Sequence, residues 1–118
     1  AKDYVEMQWR IMQQKKPDDY VIATGQTYTV KQFIEEVCKI LNIKILWLGK
    51  GMNERAYEVL GKKKKLLIKI DKKYFRPLDI NYLKGDSSKA KKLLNYRPKY
   101  NFKMLVKEML LSDIETLK

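Results

Sequence analysis

Proline and glycine set the first limit on what this chain can fold into. Pro17, Pro77 and Pro98, with Gly25, Gly49, Gly51, Gly61 and Gly85, divide its 118 residues into short runs. Proline lacks a backbone donor and clashes with a preceding helical turn, while glycine opens backbone conformations closed to other residues. Each run therefore reads as one short element followed by a turn.

Asp3 to Gln14 places Val5, Trp9 and Met12 at i, i+4 and i+7, with Tyr4 and Ile11 beside them, and predicts an amphipathic helix ended by Pro17. Tyr20 to Thr24 is a continuous apolar run closed by Gly25 and predicts a buried strand. Thr29 and Gln32 form a capping-box pattern, after which Val30, Phe33, Ile34, Val37 and Leu41 recur with helical spacing. Asn42 closes that helix, and Ile43 to Leu48 predicts a strand. Arg55 to Leu60 and Leu66 to Ile70 read as a hairpin around a turn made by Gly61 and the four lysines Lys62 to Lys65.

Tyr74 to Asp86 shows no clean period, being interrupted by Pro77 and Gly85, and is the segment best suited to a functional loop. Asp86, Ser87 or Ser88 caps a short helix with Ala90, Leu93 and Leu94 inward. Asn101 caps a last helix expected to bury Phe102, Leu105, Val106, Met109 and Leu117. The fold class is thus mixed α/β, with about four helices and several short strands in one domain over residues 1–118. A chain of this size buries roughly two-thirds of its unfolded surface, enough for one modest core.

Composition removes several chemistries. There is no histidine, and Cys38 is the only cysteine, so neither a Ser-His-Asp triad nor an internal disulfide is possible, and no metal site is expected. Cys38 falls on the apolar side of its helix, as a small buried thiol. No apolar stretch approaches the roughly 20 residues of a membrane span, and the lone thiol suits a reducing, cytoplasmic setting. Lysine and arginine outnumber acids 26 to 14, giving a net charge of +12. That charge alone motivates a basic nucleic-acid-binding module, but outside one run at Lys62 to Lys65 the lysines are scattered around the helices, and no recognition helix accompanies them.

A dinucleotide site needs a glycine-rich turn between strand and helix. Only Gly49 and Gly51 have the first spacing, and the next required position is Glu54. None of the eight tyrosines is followed by lysine four residues later, so the catalytic pair of short-chain dehydrogenases is also missing and no catalytic residue is assigned. Arg76 precedes Pro77, which favours an extended backbone there, and its guanidinium suits a diphosphate. Asp79, three residues on, suits a ribose diol.

Five blocks carry a resemblance. They are Ala1 to Val5, Asp19 to Gly25 with Tyr28 to Phe33, Tyr74 to Ile80, Gly85-Asp86 with Lys89-Ala90, and Leu94 to Pro98. In this order they resemble the C-terminal region of GDP-mannose 4,6-dehydratases, members of the extended short-chain dehydrogenases. The resemblance implies a two-domain enzyme that binds NADP in an N-terminal Rossmann domain, absent from this chain, and the sugar nucleotide in the C-terminal part. It implies oxidation at the mannosyl C4, loss of water across C5 and C6, and return of hydride to C6, giving GDP-4-keto-6-deoxymannose. Arg76 matches the family arginine that contacts the diphosphate, and Asp79 stands where the family usually has a glutamate.

The partners expected are therefore GDP-mannose or another GDP-sugar, the Rossmann domain, and further copies in a homo-oligomer, with no nucleic acid or membrane. The chain alone is expected to be inactive and to leave apolar surface uncovered. The alternative within the class is another nucleotide-sugar epimerase, reductase or dehydratase.

Overall fold

The computed structural model describes residues 2–76, 80 and 82–117. The described residues contain four α-helices and a three-stranded antiparallel sheet, confirming the mixed α/β class. The helices are α1 (Lys2–Met12), α2 (Val30–Ile40), α3 (Ser88–Leu94) and α4 (Phe102–Thr116), and the strands are β1 (Ile45–Leu48), β2 (Arg55–Leu60) and β3 (Lys63–Lys69).

The helix ends follow the sequence closely because capping is local chemistry. Thr29 Oγ1 accepts from the Gln32 N–H at 3.1 Å and Gln32 Oε1 accepts from the Thr29 N–H at 2.8 Å, completing the capping box of α2. Asn42 follows α2 with φ of 60°. Asn101 Oδ1 accepts from the Met104 N–H at 3.0 Å to start α4. At α3 the N-cap position is Ser87, whose side chain makes no capping bond; the Asp86 carboxylate, one residue earlier, accepts from the Ser88 N–H at 2.9 Å instead.

The buried face of α1 is not the one its apolar spacing predicts. Met7 is buried and Ile11 packs beside it, whereas Val5, Trp9 and Met12 are 61, 60 and 75 % exposed. Polar anchors decide the orientation. Asp3 accepts from the Lys99 and Tyr100 N–H groups, both at 3.0 Å, and Arg10 donates to the Leu94 carbonyl at 3.2 Å. These groups share the Met7 side of the helix and tie α1 to α3 and the 95–101 link, turning the apolar stripe outward.

Three further expectations are corrected. Tyr20 to Thr24 is extended, with Tyr20 and Ile22 facing the core, but forms no strand, because none of the described strands lies beside it to complete a ladder. The lysine run is not a turn. Gly61, at φ 62°, and Lys62 make a two-residue connection, and Lys63, Lys64 and Lys65 already pair with Leu60, Val59 and Glu58. A shift in register between Ala56 and Tyr57 bends the pair further on, and β1 begins two residues later than predicted.

The single core expected is reduced to one buried cluster of Met7, Ala90, Leu94 and Tyr96, with Ile11, Tyr20 and Ile22 against it. Leu93, Leu105, Met109 and Leu117, all expected inside, are 56, 41, 45 and 87 % exposed, while Ala90 and Val106 are fully buried. Helical periodicity identifies an apolar side correctly but not whether a partner covers it. The radius of gyration is 18.7 Å, against about 13 Å for a compact domain of this length.

Candidate functional site

The irregular segment after β3 carries the predicted anion-binding residue. Asp71 accepts from the Lys73 N–H at 2.9 Å and starts a single 3₁₀ turn, Lys72–Tyr74. Phe75 then leaves that turn with φ −68° and ψ 130°, an extended conformation that delivers the chain into Arg76. Arg76 is exposed and forms no ion pair with any described residue. A planar guanidinium can donate two parallel hydrogen bonds to an anion. Asp79 lies outside the described residues, so the ribose assignment and its relation to Arg76 are not placed.

The far end of this segment is held by packing. Thr27 Oγ1 donates to the Leu83 carbonyl at 2.7 Å. A Cβ on Gly85 would stand 2.6 Å from the Ala23 Cβ, so only glycine lets the two extended segments approach this closely. Gly85 thus fixes where the loop rejoins the fold.

A cleft of about 770 Å³ opens between α1, the 24–28 segment and α4. Sequence reasoning missed it, because it is lined by residues far apart in the chain. Tyr28 stacks on Phe102 with ring centres 3.9 Å apart, and Phe33 meets Phe102 edge-on at 6.4 Å. At its rim Lys2 donates to Glu108 at 2.6 Å, and this hydrogen bond raises the Lys2 pKa above its ordinary value. The aromatic residues at 28 and 102 were the available signal, yet no periodicity links positions on different elements. Arg76 does not line this cleft.

The described residues do not fit a dinucleotide. Gly49 and Gly51 connect β1 to a 3₁₀ turn and then to the antiparallel β2, and no helix follows them to present its N-terminus to a pyrophosphate. Cys38 is buried, which pushes its thiol up, with nearby Glu58 adding to the effect. No group of three or more potential metal ligands comes together among the described residues. None of the described helices is long and apolar enough to cross a membrane.

The described residues thus form a mixed α/β module with an exposed arginine on an irregular loop that packs back onto the fold at Gly85. The family model for GDP-mannose 4,6 dehydratase matches residues 1–109, and the chain belongs to that family. A GDP-mannose 4,6 dehydratase of Dictyostelium discoideum is 47 % identical over the entire chain, and one of Drosophila melanogaster is 42 % identical over the same span. A GDP-mannose 4,6-dehydratase of Vibrio cholerae serotype O1 is 42 % identical over 98 % of the chain. The chain spans about a third of the length of these relatives, between 29 and 33 %.

Proposed function

We propose that this chain is the sugar-nucleotide-binding portion of a GDP-mannose 4,6-dehydratase, and that the whole protein converts GDP-mannose to GDP-4-keto-6-deoxymannose. The observation that carries this reading is the match to relatives of that name along the entire chain, at up to 47 % identity. Within the chain, the reading assigns Arg76 to the diphosphate and Asp79 to the ribose hydroxyls. What supports Arg76 is its exposure on the irregular segment and the planar fork that complements phosphate oxygens. Residues 1–118 form one substrate-binding domain in this reading, and the protein works in the cytoplasm as a homo-oligomer.

The oxidation and reduction in this reaction require a hydride carrier. NADP is proposed for that role, held by residues outside this chain, since the glycines here do not form its turn. The chain's own contribution is to hold and orient the nucleotide. Binding energy gained at the diphosphate, away from the reacting sugar, positions the hexose for chemistry.

The proposed domain association also supplies a partner for α1. Its outward stripe of Val5, Trp9 and Met12 is too apolar to be left in water, and the reading seats it on the part of the family protein that this chain does not span. Incubating the intact protein with NADP and GDP-mannose tests the activity. Formation of the 4-keto-6-deoxy product is expected, and conversion of a different nucleotide sugar with GDP-mannose untouched would overturn the assignment. The 118-residue chain alone is expected to give no product.

A further inference from the structure

Half of the chain's net charge is concentrated in one stretch. Residues 62–73 contain seven lysines against one acid, Asp71, in a chain of net charge +12. Asp71 is engaged in capping the turn that follows. Among the described residues the five ion pairs draw their cations from Lys2, Arg10, Lys31, Lys89 and Lys99, none of them in this stretch. Lys73 lies over the Tyr74 ring at 5.6 Å.

This charge lies along an open sheet edge. Among the described strands the order is β1-β2-β3, so β3 pairs there with β2 on one side only, and every second residue turns its N–H and C=O outward. Lys63 and Lys65 lie on the sheet face shared with Glu58, and Lys64 lies on the opposite face. All three are exposed. The edge therefore combines a row of backbone donors and acceptors with ammonium groups above and below it.

The charges select the occupant. A second copy pairing through β3 would set lysine against lysine on both faces, which is destabilising. A nucleic-acid strand would meet the charge but leave the outward amide row unused. We propose that the β3 edge, at Lys63 to Leu66, docks an acidic polypeptide segment that adds as a fourth strand, its carboxylates meeting Lys63, Lys64 and Lys65. This site uses none of the residues assigned to the nucleotide, and it stands or falls independently of that assignment.

A short peptide alternating glutamate and valine, titrated into the intact protein at physiological salt, tests it. The peptide is expected to bind and to slow amide exchange in residues 63–66, and K63E/K65E is expected to weaken binding by roughly tenfold or more. K63Q/K65Q, which places no carboxylate opposite Glu58, is expected to weaken it less and serves if the reversed variant does not fold. Three results would overturn the proposal: no binding of the peptide, equal binding of a version whose valines are replaced by proline, or protection absent while oligo-dT binds as tightly.

Discussion

Gly85 shows how a residue with no side chain fixes where an irregular loop rejoins the fold. Because its Cβ would fall 2.6 Å from Ala23, Gly85→Ala forces two extended segments apart. A loss of about 1–3 kcal/mol is expected, the usual range for overpacking, readable as a lower urea midpoint. An unchanged midpoint would show that the segments separate at no cost. Glycine 85 was visible in the sequence as an interruption, but its contact was not, since Ala23 lies on another run of the chain. Cys38 was legible at the same scale: its place on the apolar side of α2 foretold its burial. Its buried, pKa-raised thiol is expected to react with iodoacetamide far more slowly in the folded chain than in urea.

At the scale of elements, what the sequence revealed was what neighbouring residues decide among themselves. The Thr29 and Gln32 box formed as spaced, and Thr29→Ala is expected to cost about 1 kcal/mol, measured by chemical denaturation. The orientation of α1 was hidden because it depends on the Lys99 and Tyr100 N–H donors and the Leu94 carbonyl acceptor, all supplied by the 94–100 region. Ion pairs made by Glu6 and Asp18 set a pH dependence. Glu6 is held below its ordinary 4.5, first by Lys99 and then by Arg10, and Asp18 is held below its ordinary 3.8, first by Lys89. In each case the folded state resists protonation more than the unfolded state does. The stability these pairs add is therefore full above the ordinary carboxylate range and lost as pH falls through the lower folded values. Urea midpoints should decline from neutral pH into that acid range, and Glu6→Gln should flatten the decline. A decline of the same size in Glu6→Gln would remove Glu6 from the account.

Over the whole molecule, the mixed α/β class and the helix count could be read from punctuation and capping, whereas compactness could not. Apolar periodicity reports which side of an element avoids water, and it is silent on whether this chain or another provides the cover. That is why Val5, Trp9, Leu105 and Met109 stand exposed on helices whose existence was clear. The aromatic cleft was illegible for a related reason, since Tyr28 and Phe102 meet only through the packing of α2 and α4. Arg76 was singled out from its chemistry and from a family resemblance; the structure shows it exposed on the loop, and its contact with the diphosphate is a proposal.

The central claim is that this chain holds the nucleotide of a GDP-sugar through Arg76. Calorimetric titration of the intact protein with GDP, comparing the natural sequence with Arg76→Ala and Arg76→Lys, tests it most directly. A charge-assisted contact to the diphosphate predicts a loss of affinity of roughly ten- to a hundredfold for alanine. Lysine, which keeps the charge without the planar fork, should lose less. NADP affinity and the unfolding midpoint should stay unchanged in both variants. Undiminished GDP binding by a folded Arg76→Ala protein would contradict the account.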